Sequence, residues 1–281
     1  MEGKTCVITG ANGGIGLETA LSLGRMGARI VMVARDPERG AMAQGRVRKV
    51  TNQPVDLLIA DLSSISETME LARRIAGNYV SVDVLVNNAG VAYGSRTVTP
   101  EGLELTFSVN LVAPFVLSQE LRQLLERSAP SRIVNVSSPA HKAGKIDFGN
   151  LQLAKGFSRM KAYANSKLGL NLVTFELARR LEGTGVTCNA VNPGFVNTRP
   201  SYATRGEALI GKLMSPFGKS PEKGAIPSVY AASADELDGV NGKYLDPKLR
   251  IVQASPESYD REMAKRLWDE LTRIVERQRC G

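Results

Sequence analysis

Histidine is almost missing from this 281-residue chain, which has one, His141, and aromatic residues make up only 5%. One imidazole cannot build a multi-histidine metal centre, and no Ser-His-Asp spacing surrounds it. It reads as a loop residue rather than a substrate contact. The three cysteines (Cys6, Cys188 and Cys280) are odd in number and far apart, so they suggest neither a disulfide framework nor a metal cluster and favour a reducing compartment. No apolar run reaches the roughly 18 residues of a membrane-spanning helix, and the opening MEGKTCVITG runs straight into a strand-like segment with no leader before it. A soluble, cytoplasmic protein is expected. Basic residues exceed acidic ones by 36 to 28, a net charge of +8, yet no run of five Lys/Arg occurs and no basic stretch is interleaved with aromatics. The charge suits an anionic ligand, whereas nucleic acid has little beyond the high pI to support it as a partner.

What the chain does have is a full-sized core: 43% of its residues are hydrophobic. Six β-branched runs recur along it, at Thr5–Thr9, Arg29–Ala34, Val55–Ala60, Val82–Asn87, Arg132–Ser137 and Val186–Val191. They alternate too little for a half-exposed sheet and are separated by segments of helical length. This predicts an α/β fold, a doubly wound parallel sheet with helices on both faces. Asp36-Pro37-Glu38 supplies a cap, a first-turn proline and a first-turn acid, and Ser66–Ile75 and Glu101–Glu126 carry apolar residues at helical spacing. After Val191 the rhythm breaks into the glycine- and proline-rich stretch Asn192–Pro221, which suits a lid with a short helix inside it. A helix at about Lys223–Ala232, a strand near Gly242–Leu245 and a C-terminal helix at about 257–279 complete a single domain with no internal repeat.

Three features carry chemistry. The first strand ends in TGANGGIG, with Gly10, Gly14 and Gly16 between strand and helix, where backbone amides at a helix N-terminus can cradle a pyrophosphate. The spacing is not G-x-G-x-x-G, so a tight βα turn remains the bland alternative. At the end of the second strand stands Ala34-Arg35-Asp36. Asp36 is explained as a helix cap, which leaves Arg35 to pair with a 2′-phosphate or to stand as an ordinary surface arginine. Tyr163 and Lys167 lie at i and i+4 on one helix face. An adjacent ammonium would lower the tyrosine pKa and make it an acid/base near neutral pH, although such a pair is more often just two helix neighbours.

With those motifs in order, TGANGGIG, NNAG (Asn87–Gly90), NVSS (Asn135–Ser138), YANSK (Tyr163–Lys167) and NPGFVNT (Asn192–Thr198), the chain resembles the short-chain dehydrogenase/reductase family from end to end. The segments ARDPERG, GKIDF and KLGLNLVTFELARRLEGTGVT resemble its retinol dehydrogenase-like branch. The resemblance implies one Rossmann-type catalytic domain over residues 1–281 that binds NADP(H), with a substrate lid at about 195–220. It implies Tyr163 as catalytic acid/base, Lys167 lowering its pKa and holding the nicotinamide ribose, Ser138 bonding the substrate oxygen, and Asn110 positioning a water behind Lys167. For the cofactor it implies Gly10, Asn12, Gly14, Ile15 and Gly16 at the pyrophosphate, Arg35 at the 2′-phosphate, and Asp61 and Leu62 beside the adenine. The backbone of Asn87, Ala89 and Gly90 would pass along it, and Pro193, Gly194, Val196 and Thr198 would cover the nicotinamide amide, with Tyr163 and Lys167 also in contact. An acid in Ala34's place would have pointed to NAD.

Ser138 and Tyr163 are 25 residues apart, so an insertion, HKAGKIDFGNLQLAKGFSRM, precedes the catalytic helix. It opens a choice between Ser137 and Ser138, which strand alternation and the family pattern resolve toward Ser138. It also lies where the family's catalytic helices commonly pair, which points to a monomer or homodimer rather than a tetramer. In the C-terminal helix, Tyr259, Met263, Leu267, Leu271, Ile274 and Val275 form an apolar stripe opposite Arg261, Lys265, Arg273 and Arg277. Docking on the domain is favoured over membrane binding. The expected function is NADP(H)-dependent interconversion of a carbonyl and an alcohol on a partly apolar small molecule, with no metal. The alternative is a non-catalytic NADP-sensing or scaffold protein on the same fold.

Overall fold

The computed structural model describes residues 1–196 and 219–279. The six runs form β1 (Thr5–Thr9), β2 (Arg29–Ala34), β3 (Val55–Ile59), β4 (Val84–Asn87), β5 (Ser131–Val136) and β6 (Val186–Val191), and two short strands follow, β7 (Tyr244–Leu245) and β8 (Ile251–Val252). Their order in the sheet is β3-β2-β1-β4-β5-β6-β7-β8. Every neighbouring pair is parallel except β7–β8, an antiparallel edge that periodicity could not show because each strand is two residues long. The chain builds outward from β1 to β3, then crosses back to lay β4 on β1's other side. That reversal opens a crevice at the carboxyl ends of β1 and β4.

The sheet is buried on both faces, which is why β1, β2 and β6 are almost wholly buried and carry apolar residues at consecutive positions. Cys6, Ile8, Ile30, Val84, Val86 and Val134 pack against α1 (Gly14–Arg25) and α2 (Pro37–Arg48). The alternate residues Val7, Val31, Leu85, Ile133 and Cys188 pack on the opposite face. There they meet α3 (Ile65–Asn78), the central helices and α7 (Arg159–Arg180). Helix starts follow their caps: Asp36 accepts from the Arg39 amide, Ser64 from Glu67 and Ser158 from Lys161.

The helix expected over Glu101–Glu126 is instead segmented. It comprises α4 (Leu105–Phe107), a π-helical turn (Ser108–Val112), α5 (Ala113–Glu120) and α6 (Arg122–Arg127). Glu104 caps the first piece, its carboxylate accepting from the Thr106 and Phe107 amides at 2.9 and 2.7 Å. Apolar spacing cannot register one extra residue in a turn, but Pro114 was a readable signal, since it has no N–H for the Asn110 carbonyl four residues earlier.

After β6, α8 (Pro221–Ser233) packs along α1, and α9 (Arg261–Arg279) closes the chain. Leu267, Trp268, Leu271 and Val275 of α9 are buried, with Trp268 edge-on to Phe115 at 4.9 Å between ring centroids. Each such large side chain contributes roughly 1.5–3 kcal/mol by leaving water. The apolar stripe of α9 is therefore committed to the domain. Of the stripe's expected members, Tyr259 precedes the helix and stacks on Phe175. The insertion lies under α9, where Arg266 covers the Phe148 ring at 4.0 Å. Among the described residues no helix is long and apolar enough to cross a membrane, and no cluster of potential metal ligands occurs.

Candidate active site

The turn after β1 is shaped by contacts that only glycine permits. Gly10 and Gly14 sit at positive φ (66° and 54°), and a Cβ on Gly16 would lie 2.4 Å from both the Gly10 carbonyl oxygen and the Asn88 amide nitrogen. Asn88 fastens the turn to the end of β4: its Nδ2 donates to the Thr9 carbonyl at 2.8 Å, while the Asn88 and Ala89 amides both donate to Thr9 Oγ1. Helix α1 begins here with Gly13 as a cap that has no side chain and with no acid in its first turn. Its amide ends are left for an anion. Gly13 itself has open space around it, the nearest atom to a Cβ there being Arg39 Nη2 at 3.8 Å.

On the other side of the crevice, β5 runs into Ser138, which caps a 3₁₀ turn (Pro139–Ala143) and accepts from the Ala140 amide at 3.2 Å. The Ser138 hydroxyl lies close enough to the Tyr163 phenol to lower its pKa against the effect of burial. Ser137 points the other way and donates to Asn171 Oδ1 at 2.7 Å, so the neighbouring serines separate by partner as strand alternation predicted. Lys167, one helical turn beyond Tyr163, is 3% exposed; its Nζ donates to the Val136 carbonyl at 2.8 Å and lies 5.7 Å from the Tyr163 ring centre. Burial lowers the Lys167 pKa to about 8. An ammonium carries three donors, and this one sits 3.5 Å from where a Gly90 Cβ would be, beside Asn110 Oδ1 at the same distance.

One electrostatic expectation is corrected. Burial pushes the Tyr163 phenol above its usual pKa, and the Ser138 hydrogen bond opposes that rise; Lys167 is not among the causes. The reason is geometric: i,i+4 spacing places the ammonium beside the ring, and its hydrogen bond goes to Val136.

Asn110 is fully buried in the π-helical turn. Its side chain accepts from the Val91 amide at 2.8 Å and donates to the Val91 carbonyl and to Ser166 Oγ at 2.9 and 3.0 Å. Ser166 in turn donates to the Tyr163 carbonyl, which joins Asn110 to α7.

The remaining expected residues divide. Asn12 and Ile15 are half-buried on the glycine turn, and Arg35 is exposed at the end of β2, hydrogen-bonded to Tyr93 with Asp61 and Asp36 nearby. Asp61 accepts from the Ser63 amide at 2.9 Å, while the Leu62 side chain is buried in the core and presents only backbone to the crevice. Asn87 is also turned away: its Nδ2 donates to Asn135 Oδ1 at 2.8 Å in the helix-covered face, because residue parity along β4 puts it with Leu85 rather than with Val86. Ala89 is half-buried and packs on that core, and Gly90 is exposed at the crevice. Pro193 is buried, Gly194 adopts φ 81° beside Pro247, and Val196 packs over Gly224 with Ile15 close by. Thr198 and nearly all of the lid segment lie outside the described residues. Asn88, Arg39 and Asn171 were not anticipated. Asn88 stood inside NNAG and Arg39 inside ARDPERG, but only the fold shows their partners.

A doubly wound sheet with a glycine turn at its switch point defines the dinucleotide-binding class of α/β enzymes. The family model for short chain dehydrogenases matches residues 4–207, and the chain belongs to that family. It is similar to mouse retinol dehydrogenase 13, at 43% identity covering 98% of this chain and 84% of that one. It is likewise similar to human retinol dehydrogenase 12, at 40% identity covering 96% and 85%. Among solved structures, an uncharacterized protein from Mycobacterium paratuberculosis superposes with a TM-score of 0.77 at 30% identity, covering 98% of this chain and 94% of that one. A Pseudomonas aeruginosa protein solved as an NADP active-site complex gives 0.69 at 27% identity, covering 88% and 95%. The protein is thus an oxidoreductase of the retinol dehydrogenase-like kind, working with a nicotinamide cofactor on alcohols or carbonyls.

Proposed function

We propose that this enzyme is an NADP(H)-dependent reductase of apolar aldehydes or ketones, retinaldehyde being the first to test, with Tyr163 as the proton donor. The reading is carried by one observation, the Ser138 hydroxyl acting on the Tyr163 phenol with the Lys167 ammonium buried one helical turn beyond and donating to the Val136 carbonyl. The glycine turn, uncapped α1 and bare Gly90 are suited to a dinucleotide. Ala34 leaves no acid against a 2′-phosphate, and Arg35 and Arg39 supply cations on that side. When bound, the nicotinamide supplies the hydride.

The chain's own residues would do the rest. Ser138 donates to the substrate oxygen and sets it against the Tyr163 hydroxyl, which gives up its proton as the alcohol forms. Burial holds the Tyr163 phenol above its usual pKa, so at neutral pH it carries the proton that reduction requires. Lys167 holds the ribose, and Asn110, in a π-helical turn where Pro114 withholds a donor from its carbonyl, is suited to seating the water that refills the proton. Exposed Met160, three residues before Tyr163, and Phe195 after β6 offer an apolar rim for a substrate of the kind the relatives' names imply. The test is turnover of NADPH and NADH against a panel of apolar and polar carbonyls. The reading requires faster turnover with NADPH and with the apolar members; no turnover with any of them would return the fold to a sensing or scaffold role.

A further inference from the structure

His141, the only histidine, is fully buried at the back of the site. Its Nδ1 lies 2.6 Å from the Ser138 carbonyl oxygen, and its Nε2 lies 3.0 Å from the Ser255 amide nitrogen. A backbone carbonyl can only accept and a backbone amide can only donate, so the two contacts together fix the tautomer. The proton is on Nδ1 and the lone pair on Nε2.

The contact with Ser255 continues into a closed circuit. Ser255 Oγ is 3.1 Å from Ser258 Oγ, which accepts from Asn171 Nδ2 at 3.4 Å. Asn171 Oδ1 accepts from Ser137 at 2.7 Å, and Ser137 is bonded covalently to Ser138. Every residue of this ring is at most 9% exposed. It joins the end of β5, the catalytic helix and the turn before α9, three parts of the chain that meet nowhere else in sequence.

We infer that His141 is a positioning residue: as a neutral Nδ1–H imidazole it grips the Ser138 backbone and ties it to the Ser255–Ser258 turn, holding the serine hydroxyl in register with Tyr163. This rests on the proposed role of Ser138 in the reaction. Buried polar circuits that are fully satisfied rigidify their surroundings, and a small displacement of a group that orients the substrate is felt in the chemical step rather than in remote binding. The C-terminal turn thereby becomes part of the active-site frame. The charged groups acting on the ring are Lys142 and Glu257, with Tyr244 the titratable neighbour at 5.1 Å between ring centres. Burial favours the neutral form that the geometry demands.

Because the chain has one histidine, long-range ¹H–¹⁵N correlation on ¹⁵N-histidine-labelled protein reads its ring without assignment. A neutral Nδ1–H tautomer between pH 6 and 8 is expected; an Nε2–H tautomer or an imidazolium at pH 7 would overturn the inference. Kinetics supply the second arm. His141→Leu should lower kcat on the order of tenfold to a hundredfold with the KM for NADPH within about twofold. The same change in a Ser138→Ala background should have much less effect, since the group it positions is gone. His141→Asn, which retains a donor toward the Ser138 carbonyl, should recover part of kcat. Equal losses in both backgrounds would reduce His141 to general packing and sink the positioning role. If the leucine variant does not fold, the asparagine variant and the tautomer still decide. Absence of carbonyl turnover in the wild type would instead defeat the reductase reading while the ring spectrum still reports on the circuit.

Discussion

Around the β1–α1 turn the crevice wall is backbone: Gly10, Gly13 and Gly14 are partly exposed, and the side chains of Arg35 and Arg39 nearby stand in solvent. Around β5 and α7 the wall is buried side chains, with Ser138, Lys167, Asn110 and His141 all at or below 9% exposure and each held by a named partner. The first surface is built to admit a large anion and works by leaving atoms out. The second is built to fix a few atoms against water, and works by giving each of those side chains a protein partner. Changes to the two halves should therefore fail differently.

The largest effect is expected at Gly16. An alanine methyl there would collide with the Gly10 backbone and with Asn88 Nδ2, which is itself hydrogen-bonded to the Thr9 carbonyl, so the turn must move. Gly16→Ala should weaken dinucleotide binding by about a hundredfold or more in calorimetric titration, a scale set by misplacement of about 1 Å. Unchanged affinity would break the backbone half of the comparison.

Next is Lys167→Met, which should separate function from stability. Turnover should fall on the order of a hundredfold. The cofactor-free protein should nonetheless be more stable at pH 7, because burial lowers the lysine pKa from 10.5 to about 8, a shift corresponding to about 3 kcal/mol. Below pH 8 the lysine is charged in folded and unfolded states alike, so the native state bears the whole desolvation penalty. The penalty disappears as pH rises from about 8 toward 10.5, and so should the methionine variant's advantage. Denaturant melts at pH 7 and pH 10.5 measure this; a less stable variant at pH 7 would contradict it.

On the exposed side the effects should be smaller and selective. Arg35→Ala should weaken NADPH binding by about 1.5–3 kcal/mol, and Arg39→Ala by less, with NADH affinity unchanged for both. Equal losses for the two cofactors would remove both arginines from the 2′-phosphate. The smallest effect belongs to His141, whose pKa burial depresses. The unfolded chain takes up a proton as pH falls through about 6.5 while the folded ring does not, so stability should be lost in that window. His141→Asn should flatten that slope relative to wild type in melts from pH 8 to 5.

The same division decides how much could be read beforehand. TGANGGIG, NNAG and YANSK are local, and they located the turn, the end of β4 and helix α7 at once. The six long strands were legible because burial on both faces makes them apolar runs. The partners of His141 were not legible, since Ser255 lies 114 positions away and is brought to the ring only by β7, β8 and the turn before α9. Leu62 was placed beside the adenine by motif, and core packing claims its side chain, while Asn87, expected to meet the cofactor through its backbone, turns its side chain to Asn135. The sign of the Tyr163 shift was missed because helix spacing shows proximity to Lys167 but neither the burial of the phenol nor the Val136 carbonyl to which the ammonium donates.

The central claim is that Tyr163 donates the proton. It is tested most directly by measuring NADPH-dependent reduction of an apolar aldehyde by wild type and Tyr163→Phe, alongside NADPH affinity by fluorescence titration on the same samples. The phenylalanine removes the hydroxyl and little else, so affinity should stay within about twofold while turnover falls by about a hundredfold or more. Turnover at the wild-type rate in the Tyr163→Phe protein would contradict the account.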